Sequence, residues 1–309
     1  MNTSPFQPRP LWQGAILLAL LGFPIAHFGI NYFRRPPQQP LTQRLFEGIH
    51  YQRVVRADPR PMMVHIVTLD LKQPGLKPLV TPSNPSVRPE HTQARTATQF
   101  VKEFGLQLAV NGSFFYKFRE ETPWDFYPHV GDRVSAIGTA ISNTKPYSTL
   151  KEKYPTICFS AQHQAQIVAQ GACQAGTIQA IAGNEIFLAR GQIVLKQSQW
   201  SRDWDKPYPR TAIGVDRSGS KVWLIVIDGK QPLYSEGTTM QELGAIATEL
   251  GIDTALNLDG GGSVTLAIAT PDGDRLLNSP IQSKIPTWER PIANHLGFYA
   301  SPLRPSSTP

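Results

Sequence analysis

Ala255-Leu-Asn-Leu-Asp-Gly-Gly-Gly-Ser-Val-Thr-Leu266 is the stretch around which the chain is organised. Ala255 to Leu258 reads as a short, largely buried strand that stops at Asp259. Gly260, Gly261 and Gly262 then lead through Ser263 into a second apolar run from Val264. Consecutive glycines have the most backbone freedom to lose on folding. They belong where the chain must take positive φ or lie against something bulky. Successive N–H groups in such a turn can converge on an anion. With the Asp259 carboxylate at one end and the Ser263 hydroxyl at the other, the turn suits a phosphorylated ligand. It also reads as an ordinary glycine-rich turn capped by Asp259.

Upstream of this strand, Thr239 to Leu250 has the period of an amphipathic helix, with Met240, Leu243, Ile246, Ala247 and Leu250 on one face and Gly251 as its stop. The same unit occurs earlier. Thr92 to Phe104 reads as an amphipathic helix, Gly105 stops it, and Leu106 to Val110 is a strand ending in Asn111-Gly-Ser-Phe-Phe-Tyr116. Aligning Gly105 with Gly251 places Asn111 on Asn257. Two buried strands would then deliver an Asn and a glycine-containing turn to the same kind of edge, where two edges can form one pocket.

The rest is mostly β sequence. Met63 to Leu71, Leu76 to Thr81 and Arg210 to Asp216 read as strands. Val222-Trp-Leu-Ile-Val-Ile-Asp-Gly229 is the most hydrophobic of them, and its unbroken apolar run implies burial on both faces. The fold class expected is α+β: a strand-rich, mixed-sheet core with two prominent amphipathic helices. The cysteines are Cys158 and Cys173, in two strand-like segments around the turn Ala161-Gln-His-Gln-Ala-Gln166. A bridge would close a loop of about 15 residues, worth about 3 kcal/mol in the chain-entropy model; two free buried thiols are the alternative. An export segment upstream favours the disulfide.

Leu11 to Tyr32 is nearly continuous apolar sequence, long enough to span a bilayer, which needs about 20 residues. Arg9 precedes it, Arg34 and Arg35 follow it, and no small-x-small cleavage site is evident. Residues 1–35 are therefore expected to be an uncleaved transmembrane anchor, with a cleaved signal as the alternative. Residues 36–50, opening with Pro36-Pro-Gln-Gln-Pro40, are expected to be a stiff linker. Residues 51–302 are the expected globular domain, and 303–309 a disordered tail. The protein is thereby placed on the extracytoplasmic side of a membrane. The 309-residue chain carries 28 prolines, 24 glycines and a net charge of +7. Its basic residues are scattered, with no long basic run, which excludes nucleic acid as a partner.

Asn111-Gly-Ser-Phe-Phe115, Arg210-Thr-Ala-Ile-Gly214, Gly237-Thr-Thr239 with its helix, Asn257-Leu-Asp-Gly-Gly-Gly-Ser263 and Glu289-Arg-Pro-Ile-Ala-Asn-His295 together resemble the successive motifs of the phosphodiester glycosidase family. Bacterial relatives in that family are often exopolysaccharide-biosynthesis proteins. The resemblance runs from Val64 to Ala300. Val264 stands where many relatives have a second small hydroxyl residue.

The resemblance implies a hydrolase that cleaves the bond between a sugar anomeric carbon and a phosphate oxygen, on a cell-envelope or exported glycan. Such cleavage passes through an oxocarbenium-like transition state flanked by carboxylates. The site needs a cationic or N–H cradle for the phosphate and a carboxylate on the sugar side. Arg210 is the first choice for the clamp, since guanidinium grips phosphate in bidentate fashion. The Gly260, Gly261 and Gly262 amides, Ser263 and Arg290 are expected to complete it.

Asp259 would repel a phosphate, so it either faces the sugar as base or nucleophile, holds a bridging cation, or is protonated; the first is preferred. Asp228 and Glu236 are the second-carboxylate candidates, although a turn cap and a helix-dipole role explain them equally. Asn111 and Asn257 bind sugar hydroxyls or satisfy strand ends. Glu289 and Arg290 either pair with each other in a structural role or serve catalysis, the pairing being preferred. His295 is a proton carrier or a structural histidine. Trp124, Tyr127, Trp204 and Trp288 are loop aromatics able to stack on sugar rings. No cofactor is required, but a divalent cation could bind if Asp259, Asp228 and Glu236 converge. Two other readings remain: a non-catalytic module binding glycan or anionic polymer, and a structural partner in polysaccharide export.

Overall fold

The computed structural model describes residues 29, 32–83, 91–148, 153–195 and 205–304. The expected membrane span, most of residues 1–35, lies outside them, as do Trp204 and the last five residues. No helix among the described residues is long and apolar enough to cross a membrane.

The molecule is layered, and one strand shows why. Lys221–Ile227 sits inside an eight-stranded sheet, between Met62–Asp70 and Arg210–Val215. Side chains alternate across a strand, so Val222, Leu224 and Val226 enter one core while Trp223, Ile225 and Ile227 enter another. The unbroken apolar run is thus two alternating sets, each with its own partner layer. On one side lies helix α2, the second helix (Met240–Glu249), with Leu243, Ile246 and Ala247 buried. On the other side lie two five-stranded sheets. One contains Lys77–Val80, Leu108–Asn111, Leu266–Ile268 and His295–Tyr299; the other carries the hairpin Thr156–Ser160 and Ala165–Val168. Helix α1 (Ala97–Phe104) covers the outer face of the first of these through Phe100 and Val101. The order is helix, sheet, paired sheets, helix, an α+β architecture as the sequence implies.

Both helices start at a threonine in a full capping box: Thr96 with Gln99, and Thr239 with Glu242. Each such cap contributes roughly 1 kcal/mol. The capping box starts α1 later than the apolar period suggests. Thr92–Gln93 is instead a short strand paired with Arg133–Ala136. Gly105, at φ 63°, ends α1 in the left-handed conformation.

Two expectations need correction. The sheets are not mixed, because every ladder between named strands is antiparallel. Residues 36–50 are not a free linker, because Leu41–Phe46 is an edge strand paired with Ile49–Arg56. Even the proline stretch is tied down: the Tyr234 hydroxyl donates to the Pro36 carbonyl, and Gln38 donates to the carbonyls of Leu233 and Tyr234. The two helix–glycine–strand units enter different sheets, Leu108–Asn111 in a five-stranded one and Thr254–Asn257 in the eight-stranded one. Their ends nevertheless meet. Cys158 and Cys173 are joined in a disulfide across the outer hairpin.

Candidate active site

The Leu108–Asn111 and Thr254–Asn257 strand ends are stitched together at Asp259. Its backbone N–H donates to the Gly112 carbonyl at 3.1 Å, and its carbonyl accepts from Asn111 Nδ2 at 2.7 Å. Asn111 Oδ1 in turn accepts from the Thr211 hydroxyl at 2.7 Å and the Thr265 amide at 3.2 Å. Asn111 is fully buried with both ends of its amide engaged. It therefore does not bind a sugar hydroxyl; it fixes the main chain that carries Asp259.

Beyond this seam opens a cleft of about 360 Å³, lined by Asp259, Gly260, Gly261, Gly262, Asn257, Arg210 and Arg290. Burial pushes the Asp259 carboxyl up to about 6, although the Ser263 hydroxyl bond, the Arg290 charge and the Gly260 N–H all pull it down. That N–H lies 2.9 Å from Asp259 Oδ1. Near neutral pH the group is mostly an ionised, poorly solvated carboxylate, the state suited to act as a base or nucleophile.

Two guanidinium groups share the cleft with it. Arg210 opens the strand Arg210–Val215, and its Nε donates to the Thr238 carbonyl at 2.9 Å. Arg290 is held on four sides. Its Nε donates to Gln282 Oε1 at 2.5 Å, Nη2 to Glu120 Oε2 at 2.6 Å, and Nη1 to the Ser263 hydroxyl at 3.4 Å, while its Cζ lies 4.4 Å from the Phe118 ring centroid. Such restraint presents a pre-set guanidinium to an anion at low entropic cost. Arg290 also explains one glycine: a Cβ on Gly262 would lie 2.3 Å from its Nη2. Gly261 has φ +62° and packs against the Tyr208 hydroxyl.

The amide cradle expected from the triple glycine is largely consumed. Gly260 N–H serves Asp259, Gly261 N–H donates to the Pro209 carbonyl, and Ser263 N–H donates to the Gly260 carbonyl in a 3-10 turn. Ser263 itself is buried against Asp259 and Arg290 and lies behind the cleft. An anion in the cleft would meet the cationic side chains of Arg210, Lys230 and Arg290 rather than these amides.

Other expected residues stand elsewhere. Asp228 is sealed in the core: its Oδ1 accepts from Asn278 Nδ2 and the Ser279 amide, both at 2.9 Å, and its Oδ2 faces His65 Nε2 at 3.1 Å. His65 Nδ1 lies within hydrogen-bond distance of the Tyr51 hydroxyl, at 2.8 Å. Asp228 is thus a buried structural carboxylate, not a partner of Asp259. Glu236 is exposed and outside the cleft lining.

His295 is buried beneath α1, stacked 5.1 Å from the Phe100 ring, and burial holds its pKa well below the usual histidine value. A neutral imidazole in that position carries no proton to the cleft. Glu289 does not pair with Arg290. Its carboxylate accepts from the Thr98 amide at 3.1 Å and the Thr98 hydroxyl at 2.5 Å, at the start of α1. Trp124, Tyr127 and Trp288 are not among the residues lining the cleft. Asp259, Asp228 and Glu236 do not converge, and no group of three His, Cys, Asp or Glu among the described residues could hold a metal ion.

Five residues at the cleft escaped the sequence reading, Phe118 against Arg290 among them. Lys230 lies 4.1 Å from the Tyr208 ring centroid, with Nζ 2.9 Å from the Tyr208 hydroxyl. Asn184 accepts from Asn257 Nδ2 at 2.8 Å, while Asn257 Oδ1 is buried without a hydrogen-bond partner. Glu120 comes from a two-stranded hairpin that folds over the cleft. Tyr208 and Lys230 are near neighbours of the Arg210 and Asp228 strand ends, a signal that could have found them. Glu120 sits in a segment without period or motif.

With this geometry established, comparison with known proteins is informative. The sequence profile of the phosphodiester glycosidase family matches residues 104–299. No curated protein matches the chain. Among solved structures, a hypothetical protein from Synechocystis superposes with a TM-score of 0.63 at 17% identity, over 86% of this chain and 64% of that one. The zebrafish N-acetylglucosamine-1-phosphodiester alpha-N-acetylglucosaminidase catalytic domain, auto-inhibited by its pro-peptide, superposes with a TM-score of 0.60 at 19% identity, over 89% of this chain and 93% of that one. At such identities the likeness is one of fold.

Proposed function

The chain belongs to the phosphodiester glycosidase family, and from that premise we propose that it hydrolyses the glycosidic bond of a sugar-1-phosphodiester in a cell-envelope or exported glycan. One observation carries the reading: a poorly solvated carboxylate, Asp259, and two restrained guanidinium groups, Arg210 and Arg290, line a single cleft. A sugar-1-phosphodiester needs that combination, a cation pair for the phosphate and an acidic group for the anomeric carbon.

The division of labour follows from charge. Arg210, Arg290 and Lys230 hold the phosphate oxygens and stabilise the negative charge that grows on them as the C1–O bond breaks. Phosphate leaves readily, so a strong general acid is not essential. Asp259 works from the sugar side, either attacking C1 or taking a proton from the attacking water. Asn257 Oδ1, buried and without a partner, accepts a hydrogen bond from a sugar hydroxyl. The apolar stretch Leu11 to Tyr32 supports a membrane-anchored, extracytoplasmic setting, as does the Cys158–Cys173 disulfide.

The test is incubation of the full chain with a panel of sugar-1-phosphodiesters, scoring free sugar and phosphomonoester, with Asp259→Asn as the control. Turnover that disappears in Asp259→Asn supports the reading. Binding of members of the panel with no turnover would replace it with a non-catalytic glycan-binding role.

A further inference from the structure

A second cavity, of about 610 Å³, has Arg34, Arg35, Arg53 and Arg275 in its lining. Seven arginines elsewhere are neutralised: Arg44, Arg56, Arg60, Arg95, Arg119, Arg217 and Arg290 each sit within ion-pair distance of a carboxylate. None of the four cavity arginines forms such a pair among the described residues. Two carboxylates border the same space, Asp274 and Glu289. Asp274 is exposed, and the Glu289 oxygens are committed to Thr98.

The arginines are also built in. Arg53 is only 9% exposed, its Nε donates to the Gln39 carbonyl at 2.8 Å, and it is hydrogen-bonded to the Tyr51 hydroxyl. Tyr51 lies in the cavity lining and is anchored from behind through His65 to Asp228. Arg35 is sandwiched between the rings of Tyr32 and Tyr234, 3.5 and 4.3 Å from their centroids.

Four like charges around one cavity repel each other unless an anion joins them, and planar guanidinium groups match tetrahedral oxyanions best. We infer that this cavity is a binding site for a phosphate-bearing anion, separate from the catalytic cleft. Its position suggests where the phosphate comes from. Arg34 and Arg35 follow directly on the apolar stretch ending at Tyr32. If that stretch lies in a bilayer, the cavity sits at headgroup level, where arginines attract acidic lipid. A soluble phosphate ester offers the same chemistry, and the experiment separates the two sources.

The full-length chain is titrated with inorganic phosphate at low ionic strength by equilibrium dialysis. Two equivalents are expected, one in each cavity. In Arg53→Gln/Arg275→Gln one equivalent is lost, while hydrolysis of sugar-1-phosphodiesters is unchanged. Because Arg53 is buried, the exposed Arg275→Gln is made alone as well, and it weakens the second equivalent by about tenfold. In a second arm, the protein is reconstituted into mixed phosphatidylcholine and phosphatidylglycerol vesicles and the co-purifying lipid is analysed. Enrichment of phosphatidylglycerol that Arg275→Gln abolishes identifies a lipid headgroup; a second phosphate equivalent without enrichment identifies a soluble ester. A single equivalent in the wild-type chain that both variants retain overturns the inference, and so does a second equivalent that both variants retain; a single equivalent that the variants lose places the phosphate in this cavity alone. The count of bound phosphate does not depend on turnover, so a failure here is distinguishable from a failure of the proposed activity.

Discussion

Asn111 Nδ2 donates to the backbone carbonyl of Asp259 across 2.7 Å, joining the end of one sheet to the end of another. The carboxylate proposed to be catalytic is therefore placed by a side chain that does not reach the cleft lining. Asn111→Ala leaves the Asp259 carbonyl, the Thr211 hydroxyl and the Thr265 amide without this partner. Buried unsatisfied groups cost roughly 1–3 kcal/mol each, and partial relaxation should hold the total to about 2–4 kcal/mol. Denaturant unfolding should show that loss. Steady-state kinetics on the folded fraction should show a fall in kcat with little change in KM, because the phosphate cations are untouched.

Replacing Asp259 should stabilise the protein while abolishing turnover. Burial pushes the carboxyl up to about 6 in the folded chain, against an ordinary value of 3.8. Its ionisation therefore opposes folding: there is no penalty below pH 3.8, and the penalty grows as pH rises and is complete above 6. At 1.36 kcal/mol per unit the effect is on the order of 2–3 kcal/mol. Asp259→Asn should accordingly be more stable than wild type at pH 7.5, with the gap closing toward pH 4. A gap that is constant across this range would show that Asp259 ionises normally.

The same group sets the pH dependence of catalysis. If Asp259 acts as an ionised base or nucleophile, kcat/KM should rise through pH 6 to a plateau near neutrality. A rate that instead falls as pH climbs through 6 would assign Asp259 as the proton donor. The pH-rate profile of the wild-type enzyme decides between them.

Gly262→Ala tests how Arg290 is seated. The added Cβ would come within 2.3 Å of Arg290 Nη2. Arg290 cannot swing away freely, since Gln282, Glu120 and Ser263 hold it. Overpacking of this kind costs about 1–3 kcal/mol. Displacing a charged phosphate ligand should raise KM for a sugar-1-phosphodiester by about tenfold, with a smaller effect on kcat.

The parts of this account that were legible in the sequence are those with a local signal. Period 3.6 between Thr239 and Leu250, the Gly105 and Gly251 stops, and the unbroken apolar run from Val222 to Ile227 placed the helices and the central strand. Asp259, Arg210 and Arg290 were singled out because each belongs to a compact motif, and the fold brings all three to one cleft. The errors arose where a tertiary partner decides the outcome. Asp228 and His295 look like catalytic groups in one dimension, but His65 and Asn278 claim the first, and α1 covers the second. The triple glycine announced a close approach, but not that its amides would face Pro209 and Gly260 while Arg290 lay above. Glu120 is brought to the cleft by a hairpin with no periodic pattern to reveal it.

The central claim is that the bond broken is the one to the anomeric carbon. Hydrolysis of a sugar-1-phosphodiester in oxygen-18 water, followed by phosphorus NMR of the product, tests it directly. Attack at the sugar leaves the phosphomonoester unlabelled and puts the heavy oxygen in the sugar hemiacetal. Heavy oxygen on phosphorus would mean that the phosphate ester bond is cleaved instead, and would contradict the account.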